Sequence, residues 1–134
     1  MTAQLSKDSI DVGIVTTNAP ECVAFYRDVL GFEDAGESPV PGGTIHQLLC
    51  GTSSVKLMTL NKLPRATAAP GGMRGSTGYR YFTISVTNLE EVLAACAAVG
   101  RSVVVPPTEL GSGSTIAIVE DPDGNWVELL RAAR

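Results

Sequence analysis

The hydrophobic pattern of this chain changes period several times, and the same order of changes occurs twice. Residues 9–18 are rich in β-branched residues and end on Thr-Asn, and residues 81–88 show the same pattern at an offset of 70. An apolar stripe at helical spacing follows directly in each copy. The pattern predicts a strand and then a helix in each half of the chain. The first stripe is Cys22, Phe25, Tyr26 and Val29, and the second is Leu89, Val92, Leu93, Cys96 and Val99.

Both predicted helices carry the same start and stop signals. Asn18 and Asn88 each stand three residues before a glutamate, as in a capping box, so the asparagine side chain is expected to cap the first turn. Gly31 and Gly100 follow the two stripes, where a glycine in the left-handed conformation commonly ends a helix.

Three further strands are predicted after each helix. Pro106 and Pro107 are expected to end the first of these strands in the second half, because proline removes a backbone donor. The order predicts two βαβββ modules in one domain over residues 1–134. Neither module can bury its own face alone, so a cleft shared by the two is the expected ligand site. The first module covers residues 8–60, a linker rich in glycine and proline covers 61–78, and the second module covers 79–131.

Composition narrows the classes of function. The 134 residues are 44% hydrophobic and 18% charged, which is typical of a compact globular chain. A net charge of −4 argues against a nucleic-acid partner. No apolar run approaches the ~20 residues that a membrane span needs, and no hydrophobic signal core begins the chain. We therefore expect a cytoplasmic protein in which Cys22, Cys50 and Cys96 are reduced thiols.

Two segments resemble the hallmark stretches of the vicinal oxygen chelate superfamily. They are residues 25–32, Phe-Tyr-Arg-Asp-Val-Leu-Gly-Phe, and residues 120–129, Glu-Asp-Pro-Asp-Gly-Asn-Trp-Val-Glu-Leu. This superfamily includes glyoxalase I, bleomycin-resistance proteins and extradiol dioxygenases. The resemblance covers residues 9–131. It implies an α+β fold in which the two βαβββ modules form an incomplete mixed barrel around a small-molecule ligand, commonly in a homodimer.

In metal-using members four ligands come from four strands, and the matching positions here are Asp11, Lys56, Tyr81 and Glu128. Only Glu128 matches the family's donor directly. An ammonium at Lys56 opposes a cation, since two unit charges 4 Å apart interact by about 4 kcal/mol at an effective dielectric constant of 20 and a divalent ion doubles this. We expect Lys56 to pair with Asp11 or Glu128 instead, and we expect no cofactor.

A divalent metal ion remains an alternative, and its ligands would be Asp11, Glu128 and His46. The chain has one histidine, so the two-histidine iron centre of the dioxygenases cannot form within it. An offset of 72 between the modules aligns His46 with Ile118, whereas an offset of 71 aligns it with Ala117 on the other face, and both offsets stay open. The candidates for lining the ligand site are Tyr81, His46, Trp126, Gln47 and Ile118.

Three functional hypotheses follow. The first is a glyoxalase-like or bleomycin-resistance-like protein with a degenerate metal site, which binds or transforms a small organic compound. In it Glu128 or Asp11 is the proton-transfer base, and Lys56 or Tyr81 stabilises a developing oxyanion. The second is a metal-dependent lyase or isomerase of the glyoxalase I type. The third is a non-catalytic protein that sequesters an antibiotic.

Overall fold

The computed structural model describes all residues, 1–134, and the chain divides into two compact units, Met1–Arg65 and Ala66–Arg134. The boundary lies within the predicted linker. Each unit contains one helix and four strands in the order β-α-β-β-β. The first unit contains β1 (Asp11–Val15), α1 (Ala19–Ala24, continued by a π-helical turn over Phe25–Val29), β2 (Glu33–Val40), β3 (Gly43–Cys50) and β4 (Ser53–Leu60). The second contains a 3₁₀ turn (Gly72–Arg74), β5 (Tyr81–Ser85), α2 (Leu89–Ala98), β6 (Val103–Glu109), β7 (Thr115–Glu120) and β8 (Trp126–Arg131).

The two sheets have the same topology. Their strand orders are β1-β4-β3-β2 and β5-β8-β7-β6. The first strand of each module pairs in parallel with the last, and the other pairs are antiparallel. Both sheets are open, with two edge strands each. The structure therefore confirms the α+β class and the repeated βαβββ module.

The core of module one lies between α1 and one face of its sheet. The apolar side chains of Leu48, Val55 and Leu57 are at most 3% exposed and share this face, because Val55 pairs with Leu48 while Leu57 lies two residues further along β4. Cys22 and Tyr26 are fully buried, as the helical stripe predicts. Gly31 has a φ of +81° directly after the helix, which confirms the predicted stop.

Module two repeats this arrangement with a fully buried row on β7 and β8. Ala117 pairs with Leu129 on the same face, and both are fully buried. Leu89 and Cys96 of α2 are also fully buried. Val99 was predicted to extend the helical stripe, but it is 54% exposed, because α2 ends one residue earlier and Val99 turns away with the chain.

The predicted asparagine caps do not form. Neither Asn18 nor Asn88 accepts a backbone hydrogen bond on its side chain. Each side-chain amide instead donates to the glutamate three residues on, Asn18 to Glu21 at 3.3 Å and Asn88 to Glu91 at 3.2 Å. Both residues have φ and ψ outside the extended region that a capping residue usually adopts, so the side-chain oxygen is not directed at the first turn.

The prolines of β6 do not end the strand as predicted. The pairing of β6 with β7 shifts register between Val105 and Thr108, so Pro106 and Pro107 fall in an irregularity of the ladder. Because β6 is an edge strand, it tolerates residues that cannot donate a ladder hydrogen bond.

The turn between β7 and β8 is organised by Asp121, which is only 1% exposed. Its carboxylate accepts hydrogen bonds from the backbone N–H of Asp123 at 2.9 Å, from that of Asn125 at 2.8 Å and from the Asn125 side-chain amide at 2.9 Å. These bonds explain how a buried carboxylate is tolerated there.

Neither helix of the structure has the length and hydropathy of a membrane-spanning segment.

Candidate functional site

The sheet of module one has a polar face opposite its buried apolar face. Gln47 and Gly13 pair directly with Lys56 from its two sides, on β3 and β1 respectively. Asp11 pairs with Ser54, which lies two residues before Lys56 and therefore on the same side of β4. We call these five residues the polar face of module one. Three of the predicted site residues, Asp11, Lys56 and Gln47, thus share one face.

A row of hydrogen bonds runs across the polar face to Asp11. The Gln47 amide donates to the Ser54 hydroxyl at 3.2 Å, and Ser54 donates to Asp11 Oδ1 at 2.9 Å. Lys7 Nζ donates to both Asp11 oxygens, at 2.8 and 3.0 Å, and to the carbonyl of Thr52 at 3.0 Å. The Lys7 ammonium and then the Ser54 hydroxyl lower the pKa of Asp11 below its ordinary value of 3.8. Asp11 is therefore a carboxylate whose charge is already compensated.

Lys56 does not form the ion pair expected from the sequence. No hydrogen bond or salt bridge links its ammonium to another side chain, since Lys7 takes Asp11. Lys56 does contribute a weaker through-space attraction that lowers the pKa of Asp11. A Cβ added at the neighbouring Gly13 would meet no atom within 4 Å, so open space adjoins the backbone beside Lys56. The lysine is half-buried and its charge is available.

His46 lies on the other face of the same sheet. It pairs with Leu57, whose side chain is 1% exposed, and not with Lys56. His46 Nε2 is 2.7 Å from Asp34 Oδ1, and Nδ1 is 3.8 Å from Glu37 Oε2. The backbone N–H of Gly36 and then His46 lower the pKa of Asp34.

The strand pairings also decide the offset between the modules. Gln47 pairs with Lys56, and Ile118 pairs with Glu128, the residue equivalent to Lys56. Gln47 is thus the counterpart of Ile118. The offset on these strands is 71, which aligns His46 with Ala117. The structure does not bring His46 together with Asp11, Gln47 and Lys56.

Module two has a corresponding face that carries four predicted site residues. Tyr81 pairs with Trp126, and Ile118 pairs with Glu128. Trp126 and Glu128 are two residues apart on β8, so all four side chains leave the same side of the sheet. Ile118 is 2% exposed and Tyr81 is 47% exposed. We call these residues, together with Thr83, the Glu128 face.

Thr83 fixes the carboxylate on the Glu128 face. Its hydroxyl donates to Glu128 Oε1 at 2.7 Å from the directly paired position on β5. No hydrogen bond is made by Oε2, so one oxygen of Glu128 is oriented and the other remains an open acceptor.

Sequence reasoning missed four residues that shape these faces, namely Lys7, Gly13, Ser54 and Thr83. The sequence did contain a signal for two of them, because Gly13 and Thr83 occupy equivalent positions in the repeated first strand. Lys7 precedes any regular element, and its spacing from Asp11 has no defined geometry outside a helix. The ion pair between Lys7 and Asp11 therefore becomes evident only from the structure.

The model of the Glyoxalase/Bleomycin resistance protein/Dioxygenase superfamily matches residues 10–129. The chain belongs to this superfamily. The match spans both modules and includes both hallmark segments. Among proteins with curated functions, no significant sequence match is found.

Solved structures of this superfamily share the fold. A glyoxalase family protein from Bacillus cereus superposes with a TM-score of 0.83 at 15% identity, over 98% of this chain and 97% of that one. Lactoylglutathione lyase from Agrobacterium tumefaciens gives a TM-score of 0.65 at 25% identity, over 91% of each chain. The trypanothione-dependent glyoxalase I of Leishmania major gives 0.73 at 21% identity, over 94% of this chain and 87% of that one. These similarities establish the superfamily fold.

The two family metal positions in module one, Asp11 and Lys56, do not suit a metal ion. No group of three or more His, Cys, Asp or Glu side chains is placed to bind an ion. Within module one, Asp11 is engaged by Lys7 and Ser54, and the other family position is the cation Lys56. A metal site needs converging neutral or anionic donors, and the polar face of module one lacks them.

Proposed function

We propose that this protein binds a small organic anion and that Lys56 supplies the positive charge that recognises it. The observation that carries the proposal is the uncompensated ammonium on the polar face of module one. A half-buried cation without a partner is costly, and an anionic ligand removes that cost. A carboxylate, or the oxyanion of a polarised carbonyl group, has the matching charge.

The neighbours of Lys56 support this assignment. Gly13 leaves room beside the ammonium, and the Gln47 amide keeps donor and acceptor capacity beyond its single bond to Ser54. Because Lys7 compensates Asp11, that carboxylate does not compete strongly for Lys56. The ligand therefore meets one available positive charge and one amide on this face.

For an enzymatic form of the proposal, Glu128 is the proton-transfer base. Thr83 orients the carboxylate, and its second oxygen is available to a substrate. The reaction class is an isomerisation or lyase reaction next to a carbonyl group. In a substrate with a hydroxyl on the carbon beside the carbonyl, Glu128 accepts the proton of that carbon, the C–H electron pair forms a C=C bond, and the carbonyl π pair moves onto its oxygen. Glu128 then returns the proton to the former carbonyl carbon while the hydroxyl proton passes to the enediolate oxygen, which completes an isomerisation.

The cellular setting is part of the same proposal. Three free thiols suit the reducing cytoplasm. A homodimer would cover some of the exposed apolar side chains, which include Val15 and Tyr79 at 50% and 105% exposure. Sedimentation measured over a range of protein concentrations tests the dimer.

Calorimetric titration with acetate, lactate, pyruvate and lactoylglutathione tests the binding function. We expect at least one of these to bind, and Lys56→Met to weaken that binding about 10- to 100-fold, the usual effect of losing a hydrogen bond to a charged group. Lys62→Met is the matched control, because it removes an exposed lysine outside the polar face. Equal affinities in wild type and Lys56→Met, or no binding by any compound, would reject the proposal.

Product analysis after long incubation decides between binding and turnover. Turnover lost in Glu128→Gln, with binding retained, supports the enzymatic form. Tight binding without any product favours sequestration. Turnover that requires added manganese, nickel or zinc would instead support the metal-dependent lyase or isomerase.

A further inference from the structure

The segment that precedes β5 is folded onto the single tryptophan of the chain. Gly72 is buried although its neighbours Gly71 and Met73 are exposed, and it has a φ of +56°. A Cβ added at Gly72 would clash with Cδ2, Cε2 and Cζ2 of Trp126. These atoms include both carbons of the ring fusion, so the glycine lies over the face of the indole and not at its edge. We call residues 69–75 the strap.

Arg80 anchors the strap from the residue before β5. Its Nε donates to the carbonyl of Gly72 and its Nη2 to the carbonyl of Ala69, both at 2.6 Å. A Cβ at Gly75 would lie 2.6 Å from the same Nη2, so the strap closes tightly around the guanidinium. The planar fork of arginine is suited to holding two carbonyl groups at once. A lysine ammonium lacks this planar fork and could not hold both carbonyl groups in the same fixed geometry.

The strap contacts the Glu128 face through Trp126. Trp126 shares that face with Glu128, and Tyr81, which follows Arg80, pairs directly with Trp126. One face of the indole is therefore covered by backbone, and Trp126 lies two residues from Glu128 on the same face of β8. Glycine is the only residue that fits at position 72, because any side chain there would displace the Trp126 ring.

We propose that the strap fixes the indole of Trp126 and shields one of its faces, which makes Gly72 and Arg80 positioning residues for the Glu128 face. The part that concerns a ligand rests on the proposed function. In that part, the fixed indole limits which ligands fit beside Glu128. The shielding itself is a property of the ligand-free protein and is tested without any ligand.

Because Trp126 is the only tryptophan, fluorescence excited at the long-wavelength edge of the indole band, where the three tyrosines absorb little, reports on this position alone. We expect Gly72→Ala and Arg80→Met to shift the emission to longer wavelength and to raise the acrylamide quenching constant about twofold, because water and quencher reach the uncovered ring. Gly78→Ala is the matched control for backbone strain, since Gly78 also has a positive φ, of +95°, but open space around its Cβ position. Arg74→Met controls for loss of charge within the strap.

Unchanged quenching in both Gly72→Ala and Arg80→Met, in protein that melts cooperatively, would overturn the shielding. Rescue is tested with Arg80→Lys, which we expect to fall between wild type and Arg80→Met. In the ligand arm, the compound bound by wild type should bind about tenfold more weakly to Gly72→Ala and Arg80→Met, but normally to Gly78→Ala. Normal binding in all variants despite raised quenching would overturn the positioning role. Failure of wild type to bind any compound would count against the proposed function alone, and the quenching result would still decide the strap.

Discussion

Thr83 donates a 2.7 Å hydrogen bond to Glu128 from the directly paired position on the neighbouring parallel strand. The equivalent pair in module one is Gly13 and Lys56. The backbone pairing is therefore the same in both modules, but the carboxylate and hydroxyl of module two correspond to an ammonium and a glycine in module one. The two faces consequently differ in charge and in openness although their folds correspond.

The first prediction concerns the Thr83 hydroxyl. Thr83→Val removes the hydrogen bond but keeps a β-branched side chain at an exposed strand position, so the free energy of unfolding should change by less than about 0.5 kcal/mol. Ligand affinity or turnover that depends on Glu128 should fall, because the carboxylate is no longer oriented. Thr83→Ser should behave as wild type. Identical function in Thr83→Val and wild type would show that this bond has no role.

The second prediction separates two strand glycines of module one. Gly43→Ala places a Cβ against the backbone of Thr59, which cannot move easily, so it should destabilise the protein by about 1–3 kcal/mol. Gly13→Ala meets no atom within 4 Å and should leave stability nearly unchanged. It should nevertheless weaken binding of the anion at Lys56, because it narrows the space beside the ammonium. Urea unfolding and calorimetric titration of both variants measure these effects.

The third prediction is a pH dependence. The pKa of Asp11 is lowered in the folded protein, so this carboxylate stabilises folding fully above its ordinary pKa of 3.8 and loses that effect as the pH falls through the lowered folded value. Lys7→Met should raise the pKa of Asp11 toward 3.8, as followed by carboxyl NMR. The difference in unfolding free energy between variant and wild type should be fully present at neutral pH and should decline as the pH falls below the ordinary value of 3.8 and through the lowered folded pKa of Asp11. Lys7→Arg should preserve it. A difference that persists below the folded pKa of Asp11 would have another origin.

The fourth prediction concerns the turn before β8. Asp121→Ala leaves three part-buried hydrogen-bond donors of the turn without their acceptor and should cost about 2–4 kcal/mol of stability. Asp121→Asn keeps one acceptor oxygen and should cost less. Asp8→Ala removes an exposed carboxylate and should stay within about 0.5 kcal/mol of wild type. Thermal and urea unfolding provide the comparison.

Much of the fold could be predicted because its signals are local and repeated. The strand-helix order, the buried stripe through Cys22 and Tyr26, and the stop at Gly31 each follow from periodicity or from one residue's backbone preference. The errors arose where a residue had a competing option. The amide of Asn18 bonds to Glu21 and not to the helix backbone, and edge position lets β6 continue through its prolines.

The site was less predictable because it depends on register and on distant partners. One residue of offset decides whether His46 corresponds to Ile118, on the Glu128 face, or to Ala117, on the opposite face, since strand side chains alternate. The partner of Asp11 proved to be Lys7, from outside the regular elements, and not Lys56. The contact of Gly72 with Trp126 joins residues far apart in the chain, and no pattern around either residue predicts it.

The irregular pairing of β6 at Pro106 and Pro107 has a consequence for solubility. An outer strand with a full row of free N–H and C=O groups is a template on which another chain can add a strand, and this is how many β proteins begin to aggregate. Here two consecutive residues of the outer strand have no N–H, and the shifted register interrupts the regular row of pairing groups. This margin of the second sheet is thus a poor template for fibril growth.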